Sequence, residues 1–363
     1  MKTRLLLMTL DFPPRQGGVA RYLHALALYF KDQITVIASP ESHSRTFDQN
    51  EEYPIQRQHL LYTIIWPRWL RAISILVFQR HRYDQVLVSH ILPLGTAAWL
   101  AKYFTRRPYI VLLHGMDASL AKRSRFKKWL TTQVLKNAKL VITNTRALKL
   151  ELQNDYGLQS VLTVYPPLSV PPSFFSRTRH DHRFHLLTVS RLINRKGHVR
   201  VLKALAWLKK QGRLEEFKYH IVGEGIISEH LRQLVEALGL QDHVDFEGFV
   251  SDQDLALLYS NCDVFIMPTV ADKIDREGFG MVYIEAGFYG LPSIATAHPG
   301  VDEAVLDQQT GLLVPDGNIE ALAEAIMKLQ DKNLRTLLGQ NAKRRAISEF
   351  TPESQFAKLA EQL

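Results

Sequence analysis

The stretch DREGFGMVYIEAGFYGLPSIAT, Asp275 to Thr296, runs from a helical segment into a strand and decides the fold class. Apart from Glu285, residues 281–289 are apolar on every side, which is typical of a buried helix, and Gly290-Leu291-Pro292 ends it. The apolar run PSIATA follows at once. Apolar strands that alternate with helices indicate a parallel sheet covered on both faces, and hence an α/β fold.

The rest of the chain repeats this alternation. The strand candidates are RLLLMTL, QITVIAS, QVLVSH, YIVLLHG, LVITNT and VLTVY in the first half, and FHLLTVS, KYHIVGEG, VDFEGFV, DVFIMPT, PSIATA and GLLVP in the second. The proline-rich YPPLSVPPSFFS, residues 165–176, is typical of a linker. We therefore predict two doubly wound, Rossmann-like domains that face a central cleft, with ligands at the carboxyl ends of the strands.

The domain boundaries follow from that linker. We place an N-terminal, acceptor-side domain at residues 1–170 and a C-terminal, nucleotide-sugar-binding domain at residues 171–345. Residues 346–363 are predicted to form a helix that crosses back to the N-terminal domain. A chain of 363 residues with 46% hydrophobic and 22% charged residues is long enough for two separate cores.

Charge is divided unevenly along the chain. Residues 1–178 hold 24 Lys and Arg against 10 Asp and Glu, a net charge of +14, whereas residues 179–363 hold 21 against 26, a net charge of −5. A cationic half predicts an anionic partner, which could be a membrane surface, a nucleic acid or a phosphorylated substrate. The single cysteine, Cys262, excludes a disulfide framework, and its apolar surroundings predict a buried thiol in a reducing compartment.

Two apolar stretches could be mistaken for membrane or targeting segments. The N-terminal MKTRLLLMTLDFPP has too short an apolar run for a signal peptide and no small-residue cleavage site, so it is predicted to be a strand. The run LLYTIIWPRWLRAISILVF is interrupted by Pro67, Arg68 and Arg71. It therefore falls short of the roughly 18 uninterrupted apolar residues of a membrane span.

The first strand of each half is followed by a turn. The turn in the first half contains two glycines, and the turn in the second half contains cations. In DFPPRQGGVARYLHALALYF, Gly17 and Gly18 open a helix, where backbone N–H groups could approach a phosphate; a tight turn would use glycine equally well. In SRLINRKG, Arg191 and Lys196 could bind phosphate oxygens, and the alternative is a solvated basic turn. Arg195 is predicted to lie at the surface.

The two carboxylates of REGFGMVYIEAG fall on different parts of one structure. Glu277 is predicted on a loop, and Glu285 one to two turns into a helix that begins near Gly280 or Met281. A buried carboxylate needs a hydrogen-bond donor. The helix N-terminus would face a diphosphate, so that a sugar nucleotide fits the whole set. The alternative for Glu277 is an acid that stabilises the helix dipole.

Together, the Glu-x7-Glu pair, SRLINRKG, VGEG, PPRQGGVARY and HPGVDEAVLDQQTGLLVP resemble, in this order, the retaining glycosyltransferases of family 4, which have the two-domain GT-B fold. Within that family, DREGFGMVYIEAGFYGLPSIA is most similar to the phosphatidylinositol mannosyltransferase branch. The sequence departs from the pattern at HPG, residues 298–300, where relatives often carry a double glycine.

The resemblance implies transfer of a hexose from a nucleotide sugar with retention of configuration, GDP-mannose being the first donor considered and UDP-sugars the next. It implies that Glu277 contacts the donor sugar and Glu285 the ribose, and that Arg191 and Lys196 contact the diphosphate. The predicted catalytic residues are Glu277, His114, Arg191 and Lys196. The predicted donor-binding residues are Gly17, Gly18, Arg191, Lys196, Gly223, Phe249, Val250, Glu277, Phe279, Gly280, Met281, Val282 and Glu285.

No cofactor or metal is expected, because two cations would stabilise the departing diphosphate. His114, after YIVLLHG, matches a family position beside the transferred sugar, although a lone histidine after a strand is often structural. Asp252-x-Asp254 has the spacing of metal-dependent transferases of another fold, but Ser251 and Asp254 suit a helix start better. The histidine-rich RHDHRFH could bind metal adventitiously or be a polar linker end.

The acceptor is inferred from the basic half. The segments WPRWLRAISILVFQRHR and KRSRFKKWL mix aromatic and cationic residues, as in surfaces that meet anionic lipid headgroups. The alternative is an amphipathic helix that packs on its own sheet. We expect a peripheral enzyme on the cytoplasmic face of a membrane, with a lipid-linked, phosphorylated or saccharide acceptor. A sugar-nucleotide epimerase of the same fold and a nucleic-acid-binding α/β protein are the rival hypotheses.

Overall fold

The computed structural model describes residues 3–115, 124–168, 181–271 and 277–363. The chain forms two compact units, Met1–Ser169 with Thr351–Leu363 (unit 1) and Val170–Phe350 (unit 2). Each unit is built on its own parallel β-sheet with flanking helices. The α/β, doubly wound fold predicted from the alternation of strands and helices is therefore confirmed.

Unit 1 contains a sheet of seven described strands in the order β3-β2-β1-β4-β5-β6-β7, all parallel. The strands are β1 (Leu5–Thr9), β2 (Ile34–Ala38), β3 (Ile55–Arg57), β4 (Gln85–Val88), β5 (Tyr109–Leu113), β6 (Leu140–Thr143) and β7 (Val161–Thr163). Its helices are α1 (Gly18–Tyr29), α2 (Ser44–Asp48), α3 (Leu70–Phe78), α4 (Thr96–Thr105), α5 (Arg125–Lys136) and α6 (Arg146–Tyr156), with a π-helical turn at Ile91–Gly95.

The side chains of β1 alternate between two cores. Leu5 and Leu7 pack with α1, whereas Leu6 and Met8 pack with α3 and α4 on the opposite face. This alternation explains why the strand is apolar throughout, since both of its faces are covered. A helix close to the C-terminus of the chain also belongs to unit 1, where its Phe356 ring lies 5.7 Å from the ring of Tyr22 on α1.

Unit 2 contains a sheet of six described strands in the order β10-β9-β8-β11-β12-β13, again parallel. The strands are β8 (Phe184–Val189), β9 (Phe217–Val222), β10 (Val244–Gly248), β11 (Val264–Met267), β12 (Ser293–Thr296) and β13 (Gly311–Val314). Its helices are α7 (His198–Lys210), α8 (Ser228–Leu238), α9 (Asp252–Asn261), α10 (Met281–Phe288), α11 (Val301–Ala304), α12 (Ile319–Lys328) and α13 (Lys332–Glu349). The last helix of the chain, α14 (Pro352–Ala360), belongs to unit 1.

All twelve predicted strands are present, and β3 is the one that the sequence reading missed. The predicted helix start at Ser251 is confirmed, because its Oγ accepts a hydrogen bond from the Asp254 N–H at 3.2 Å. Cys262 is buried, as predicted. Most of the predicted linker, residues 169–176, lies outside the described residues, as do His180, Lys122 and Arg123. Among the described helices, none has both the length and the apolarity that crossing a bilayer requires.

Candidate functional site

The basic turn of unit 2 lies at the carboxyl end of the central strand β8. After Ser190 and Arg191 the chain forms a short 3₁₀ turn at Asn194–Lys196 and then enters α7. The backbone carbonyl of Arg195 accepts a hydrogen bond from the N–H of Val270, beyond β11, at 2.8 Å. The turn is thus fixed to the end of a neighbouring strand, at the edge of the sheet where ligands of doubly wound folds bind.

Glu277 joins this turn through an ion-pair cluster that is largely shielded from solvent. The Nζ atom of Lys196 lies 2.6 Å from Glu277 Oε2, and the Arg195 guanidinium binds the same oxygen. The three side chains are 12–13% exposed. Burial alone would raise the pKa of Glu277, but the charges of Lys196 and Arg195 outweigh it and hold that pKa below its ordinary value. The carboxylate is therefore ionised at neutral pH.

One expectation for the basic turn needs a correction. Arg195 was predicted to lie at the surface, and this was wrong, because its guanidinium is buried against Glu277. Arg191 is exposed and makes no ion pair with any described residue. The 3₁₀ turn directs the Arg195 side chain back toward the loop that carries Glu277. Lys196 and Glu277, both predicted site residues, are brought together in an ion pair.

The helix that begins at Met281 presents its N-terminus next to Glu277. Gly280 caps it with φ +79°, and a Cβ atom at this position would lie 2.6 Å from the ring of Tyr283. Phe279 is buried against Phe350, with ring centroids 5.4 Å apart. The first N–H groups of any α-helix lack carbonyl partners within the helix, and those of Met281 and Val282 occupy this position.

Glu285 has the hydrogen-bond donor that its burial demands. The carboxylate is on α10, is 4% exposed, and accepts a hydrogen bond from the hydroxyl of Tyr259 at 3.3 Å. The Tyr259 ring stacks on that of Tyr289, with centroids 5.1 Å apart and planes 7° from parallel. This aromatic pair comes from the ends of α9 and α10 and holds the donor in place.

The predicted base-binding residues follow the edge strand β10 and its neighbour β9. The N–H of Gly223 donates to the carbonyl of Gly248 at 2.8 Å, which ties the ends of these strands together. A Cβ atom on Gly223 would lie 2.1 Å from the Ser190 carbonyl, so only glycine fits. Phe249 is 72% exposed and Val250 is half-buried, leaving an apolar ring edge available to a planar ligand.

The sequence reading missed His198, the residue after the basic turn. His198 is 1% exposed, and its Nε2 and Nδ1 atoms lie 3.0 Å from Ser190 Oγ and 3.2 Å from the Tyr219 hydroxyl. Burial and the charge of Lys196 lower the pKa of His198 to about 4. The ring is therefore neutral at pH 7 and braces the turn. Its position directly after a Gly that ends a basic turn was the signal available in the sequence.

A second group of polar residues lies in unit 1, at the carboxyl ends of β1, β4 and β5. The His114 Nε2 atom is buried and has no hydrogen-bond partner among the described residues. Burial and the charge of His90 lower the pKa of His114 to about 4, against the opposing influence of Asp11. Asp11 accepts a hydrogen bond from His90 at 3.1 Å and pairs with Arg15 at 2.8 Å. In a neutral His114 the Nε2 atom either donates or accepts one hydrogen bond, depending on the tautomer.

Gly17 and Gly18 lie in unit 1 as the sequence predicted. Gly17 caps α1 with φ +142°, Gly18 is the first residue of the helix, and both are exposed. No side chain of the described residues caps the helix. Its first N–H groups are thus left to solvent or to a ligand.

The arrangement in unit 2 suits a ligand that is anionic at one point and rich in hydroxyl groups at others. Lys196, Arg191 and the N-terminus of α10 supply positive charge and amide donors. Glu277 and Glu285 supply ionisable acceptors at two distinct places. A nucleoside diphosphate sugar carries the complementary groups, which are an anionic diphosphate and the hydroxyl groups of the ribose and the hexose.

Comparison with known proteins gives the same family over both units. Residues 171–345 match the family described as Glycosyl transferases group 1, and residues 16–170 match Glycosyltransferase Family 4. A Mycolicibacterium smegmatis protein named GDP-mannose-dependent alpha-(1-6)-phosphatidylinositol monomannoside mannosyltransferase is 27% identical, with 99% of this chain and 98% of that protein covered.

Two further comparisons extend this result. A GDP-mannose-dependent monoacylated alpha-(1-6)-phosphatidylinositol monomannoside mannosyltransferase of Corynebacterium glutamicum is 27% identical, with 92% of this chain and 90% of that protein covered. The crystal structure of Anabaena HepE in complex with UDP has a TM-score of 0.82 at 22% identity, covering 99% of this chain and 98% of that one. The chain is a glycosyltransferase and belongs to family 4, with the GT-B fold.

Proposed function

We propose that the protein is a retaining hexosyltransferase that uses a nucleotide-sugar donor, GDP-mannose in the first instance and a UDP-sugar in the second. The observation that carries the proposal is the buried cluster of Lys196, Arg195 and Glu277 beside the N-terminus of α10. Two relatives named as GDP-mannose-dependent mannosyltransferases support mannose as the first choice.

The departing diphosphate is stabilised by the residues around the basic turn. Arg191 is exposed, so its guanidinium can bind phosphate oxygens. Lys196 adds a second positive charge at the point where it pairs with Glu277. The N–H groups of Met281 and Val282 donate to the same phosphates. These donors are in place before the reaction, so charge that develops on the leaving group needs no reorganisation. Transfer then requires no metal or other cofactor.

The sugar and ribose contacts fall to the two glutamates. Glu277 is held ionised and accepts hydrogen bonds from hexose hydroxyls, and Glu285 accepts them from the ribose. His114 of unit 1 is neutral at pH 7, and its buried Nε2 atom provides a hydrogen bond to the transferred sugar. Gly17 and Gly18 supply backbone N–H groups, and Gly223, Phe249 and Val250 contact the base.

The acceptor is proposed to be lipid-linked and reached from an anionic membrane. Unit 1 carries a group of exposed apolar side chains on or beside α3, α4 and α5, which we call the aromatic-basic surface. Its apolar members are Ile64, Ile65, Trp66, Phe78, Tyr103, Phe104, Phe126 and Trp129, all at least 51% exposed, and its exposed cations are Arg68, Arg80, Arg82, Arg106, Arg125, Lys127 and Lys128.

The three helices of that surface pack side by side on one core, since α4 contacts both α3 and α5. Their exposed aromatic side chains therefore accompany cations on one side of unit 1. This combination is typical of proteins that bind anionic headgroups while burying rings among the acyl chains. The protein would then act peripherally, at the cytoplasmic face.

The donor proposal is tested by thermal shift with GDP, UDP, ADP and their sugar conjugates, since a ligand that binds the native state raises its melting temperature. We expect the largest shift with GDP or GDP-mannose and its loss in Glu285→Gln. Glu324→Gln, an exposed acid on α12, is the matched control and keeps the shift.

A Glu285→Gln variant with unchanged nucleotide affinity would contradict the ribose assignment. Conversion of the sugar nucleotide in the absence of any acceptor would favour an epimerase instead. Transfer activity that appears only when a lipid-linked acceptor is added supports the proposed reaction.

A further inference from the structure

A second cluster of ionisable side chains lies on the edge of the unit 2 sheet. His185, His220, Asp245 and Glu247 come from β8, β9 and β10, which are neighbours in the sheet. Residues that alternate with them along these strands, such as Leu186 and Tyr219, point into the apolar core. Because side chains alternate between the faces of a strand, the four polar residues share the opposite face.

These residues form a continuous chain of polar contacts that begins outside the sheet. The Asp181 carboxylate lies 2.8 Å from His185 Nε2, and His185 Nδ1 lies 2.8 Å from His220 Nε2. On its other side, His220 Nδ1 lies 2.8 Å from Glu247 Oε1. The two imidazoles therefore connect one carboxylate to another through three contacts.

The number of N–H groups does not match the number of contacts. Carboxylates at both ends can only accept, so each of the three contacts needs one hydrogen. Two neutral imidazoles carry one N–H group each, which supplies two. If Asp181 accepts from His185 and His185 accepts from His220, the lone pair of His220 Nδ1 faces Glu247 Oε1 at 2.8 Å. The conflict is resolved either by a third proton shared by these two atoms or by a divalent cation that binds both of them once they move slightly apart.

The surroundings of His220 Nδ1 suit a metal ion as that cation. Asp245 Oδ2 lies 3.7 Å from it, and one atom each of His220, Asp245 and Glu247 fall within 4.8 Å of one another. Zinc binds nitrogen and oxygen at about 2.0–2.2 Å, which separates tetrahedral ligands by roughly 3.4 Å. Small side-chain movements would complete three protein ligands, and water could supply a fourth.

The neighbouring groups allow entry of an ion. Asp245 is 43% exposed and Glu247 29% exposed, whereas His220 is 12% exposed and held by its ring neighbours. Lys218 binds the other oxygen of Asp245, Oδ1, at 2.7 Å, which leaves Oδ2 turned toward His220. The His185 and His220 rings stack with centroids 5.0 Å apart, which restricts their rotation.

We propose that His220, Asp245 and Glu247 bind a divalent transition-metal ion of the zinc class. His185 and Asp181 form the outer layer that fixes the tautomer of His220, as carboxylate–histidine pairs do at other metal sites. Imidazole ligation favours zinc, nickel or cobalt over magnesium and calcium. The ion would link β9 to the edge strand β10. The proposal stands independently of the donor and acceptor proposed above.

The test is calorimetric titration of the tag-free whole chain with Zn²⁺, followed by Co²⁺, whose visible absorption reports the coordination geometry of the bound ion. We expect one ion per chain. Glu247→Gln and Asp245→Asn should each weaken binding at least about tenfold, and Asp181→Asn should weaken it by roughly tenfold through the outer layer. His182→Ala, an exposed histidine of the same RHDH run, is the control and keeps full affinity.

Three results would overturn the proposal. Unchanged Zn²⁺ affinity in Glu247→Gln would remove the site from β10, and loss of binding in His182→Ala would place it at an adventitious run of histidines. Absence of any Zn²⁺ binding by the wild-type protein would mean that a third proton, not a metal ion, bridges His220 and Glu247. Melting temperatures of the variants show that each is folded before titration, and both carboxylates are exposed enough to tolerate replacement.

Discussion

At the scale of single residues, Glu277 is the side chain on which both stability and chemistry depend. Replacing Glu277 with Gln leaves Lys196 and Arg195 close together, buried and without their shared counter-ion. Breaking a buried ion pair is expected to cost about 3 kcal/mol. We expect a lower unfolding temperature by differential scanning calorimetry, with Glu324→Gln as the control. A Glu277→Gln protein as stable as wild type would show that the cluster is not stabilising.

The same residue gives a prediction for acid stability. Its folded pKa lies below the ordinary value, so the unfolded state binds a proton first as the pH falls. The stability that Glu277 contributes is complete above about pH 4.3, the ordinary pKa, and is lost as the pH falls through the folded pKa. Calorimetry from pH 6 to pH 3 should show a shallower decline in Glu277→Gln than in wild type. Parallel curves would contradict this.

His198 predicts a pH dependence in a different range. Its folded pKa is about 4, below the unfolded value of about 6.5. Between these values the unfolded state binds the proton and the folded state does not, so stability falls as the pH drops from about 6.5 to 4. The free energy of unfolding that is lost through His198 is about 3 kcal/mol at most, as the difference between the two pKa values requires. Solvent screens this effect little, because the side chain is 1% exposed.

The measurement is the unfolding temperature of His198→Gln against wild type across that range. We expect the difference between the two proteins to shrink toward pH 4, because wild type alone carries this protonation penalty. His230→Gln, at an exposed histidine of α8, should follow wild type throughout. A constant difference across the pH range would mean that His198 titrates alike in both states.

Residue identities in the basic turn were predictable, whereas side-chain directions were not. The spacing of Arg191 and Lys196 in SRLINRKG identified the turn, and Lys196, which was expected to bind the diphosphate, pairs with Glu277. The expectation that Arg195 lies at the surface was wrong, because a 3₁₀ turn of three residues decides which guanidinium points inward. No periodicity in the sequence encodes that turn. The Tyr259 donor to Glu285 was likewise required by burial but could not be named.

At the scale of elements, α10 depends on the glycine that begins it. Gly280→Ala forces a side chain into φ +79° and places its Cβ 2.6 Å from the Tyr283 ring. We expect a loss of about 1–3 kcal/mol and weaker nucleotide binding, because the N–H groups of the first turn would shift. Gly317→Ala is a matched control, since φ there is +74° with no atom within 4 Å of the new Cβ.

The comparison of these two variants separates strain from collision. Both introduce a side chain at a left-handed position, so the common part of the loss is the backbone cost. A larger loss in Gly280→Ala, seen as a lower melting temperature, measures the contact with Tyr283. Equal losses in both variants, with nucleotide binding retained, would show that α10 tolerates the shift.

Element boundaries also show where the pattern of the sequence is informative. Most of the predicted strands are continuous apolar runs, and such runs form where both faces of a sheet are covered, whereas β9 and β10 alternate apolar with polar residues. The missed strand β3 has three residues, all half-buried, and lies at the edge of the sheet. It carries neither an apolar run nor a clear alternation. Contacts between residues far apart in the sequence, such as His185 and His220, likewise depend on the order of the strands in the sheet, which could not be predicted from the sequence.

At the scale of the whole molecule, the division of charge along the chain predicts an ionic-strength-dependent association with anionic membranes. Residues 1–178 carry a net charge of +14, and the aromatic-basic surface lies within them. Each Lys or Arg near an anionic surface is worth about 1 kcal/mol, and the exposed rings add apolar burial. The charge attraction and the burial of the rings together predict tight binding to anionic membranes at low salt. The binding weakens at high salt, because salt screens the charges.

Sedimentation with lipid vesicles of graded anionic content measures this association. The wild-type protein should bind vesicles that contain phosphatidylserine or phosphatidylinositol, and less at high salt. The double variant Trp66→Ser/Phe126→Ser should bind at least about tenfold more weakly, because two rings that are 84% and 65% exposed no longer enter the bilayer. Ile226→Ser, at a 90% exposed residue of unit 2, is the control and should bind as wild type does. Equal binding of the double variant, or equal binding to neutral vesicles, would show that the aromatic-basic surface meets a different partner.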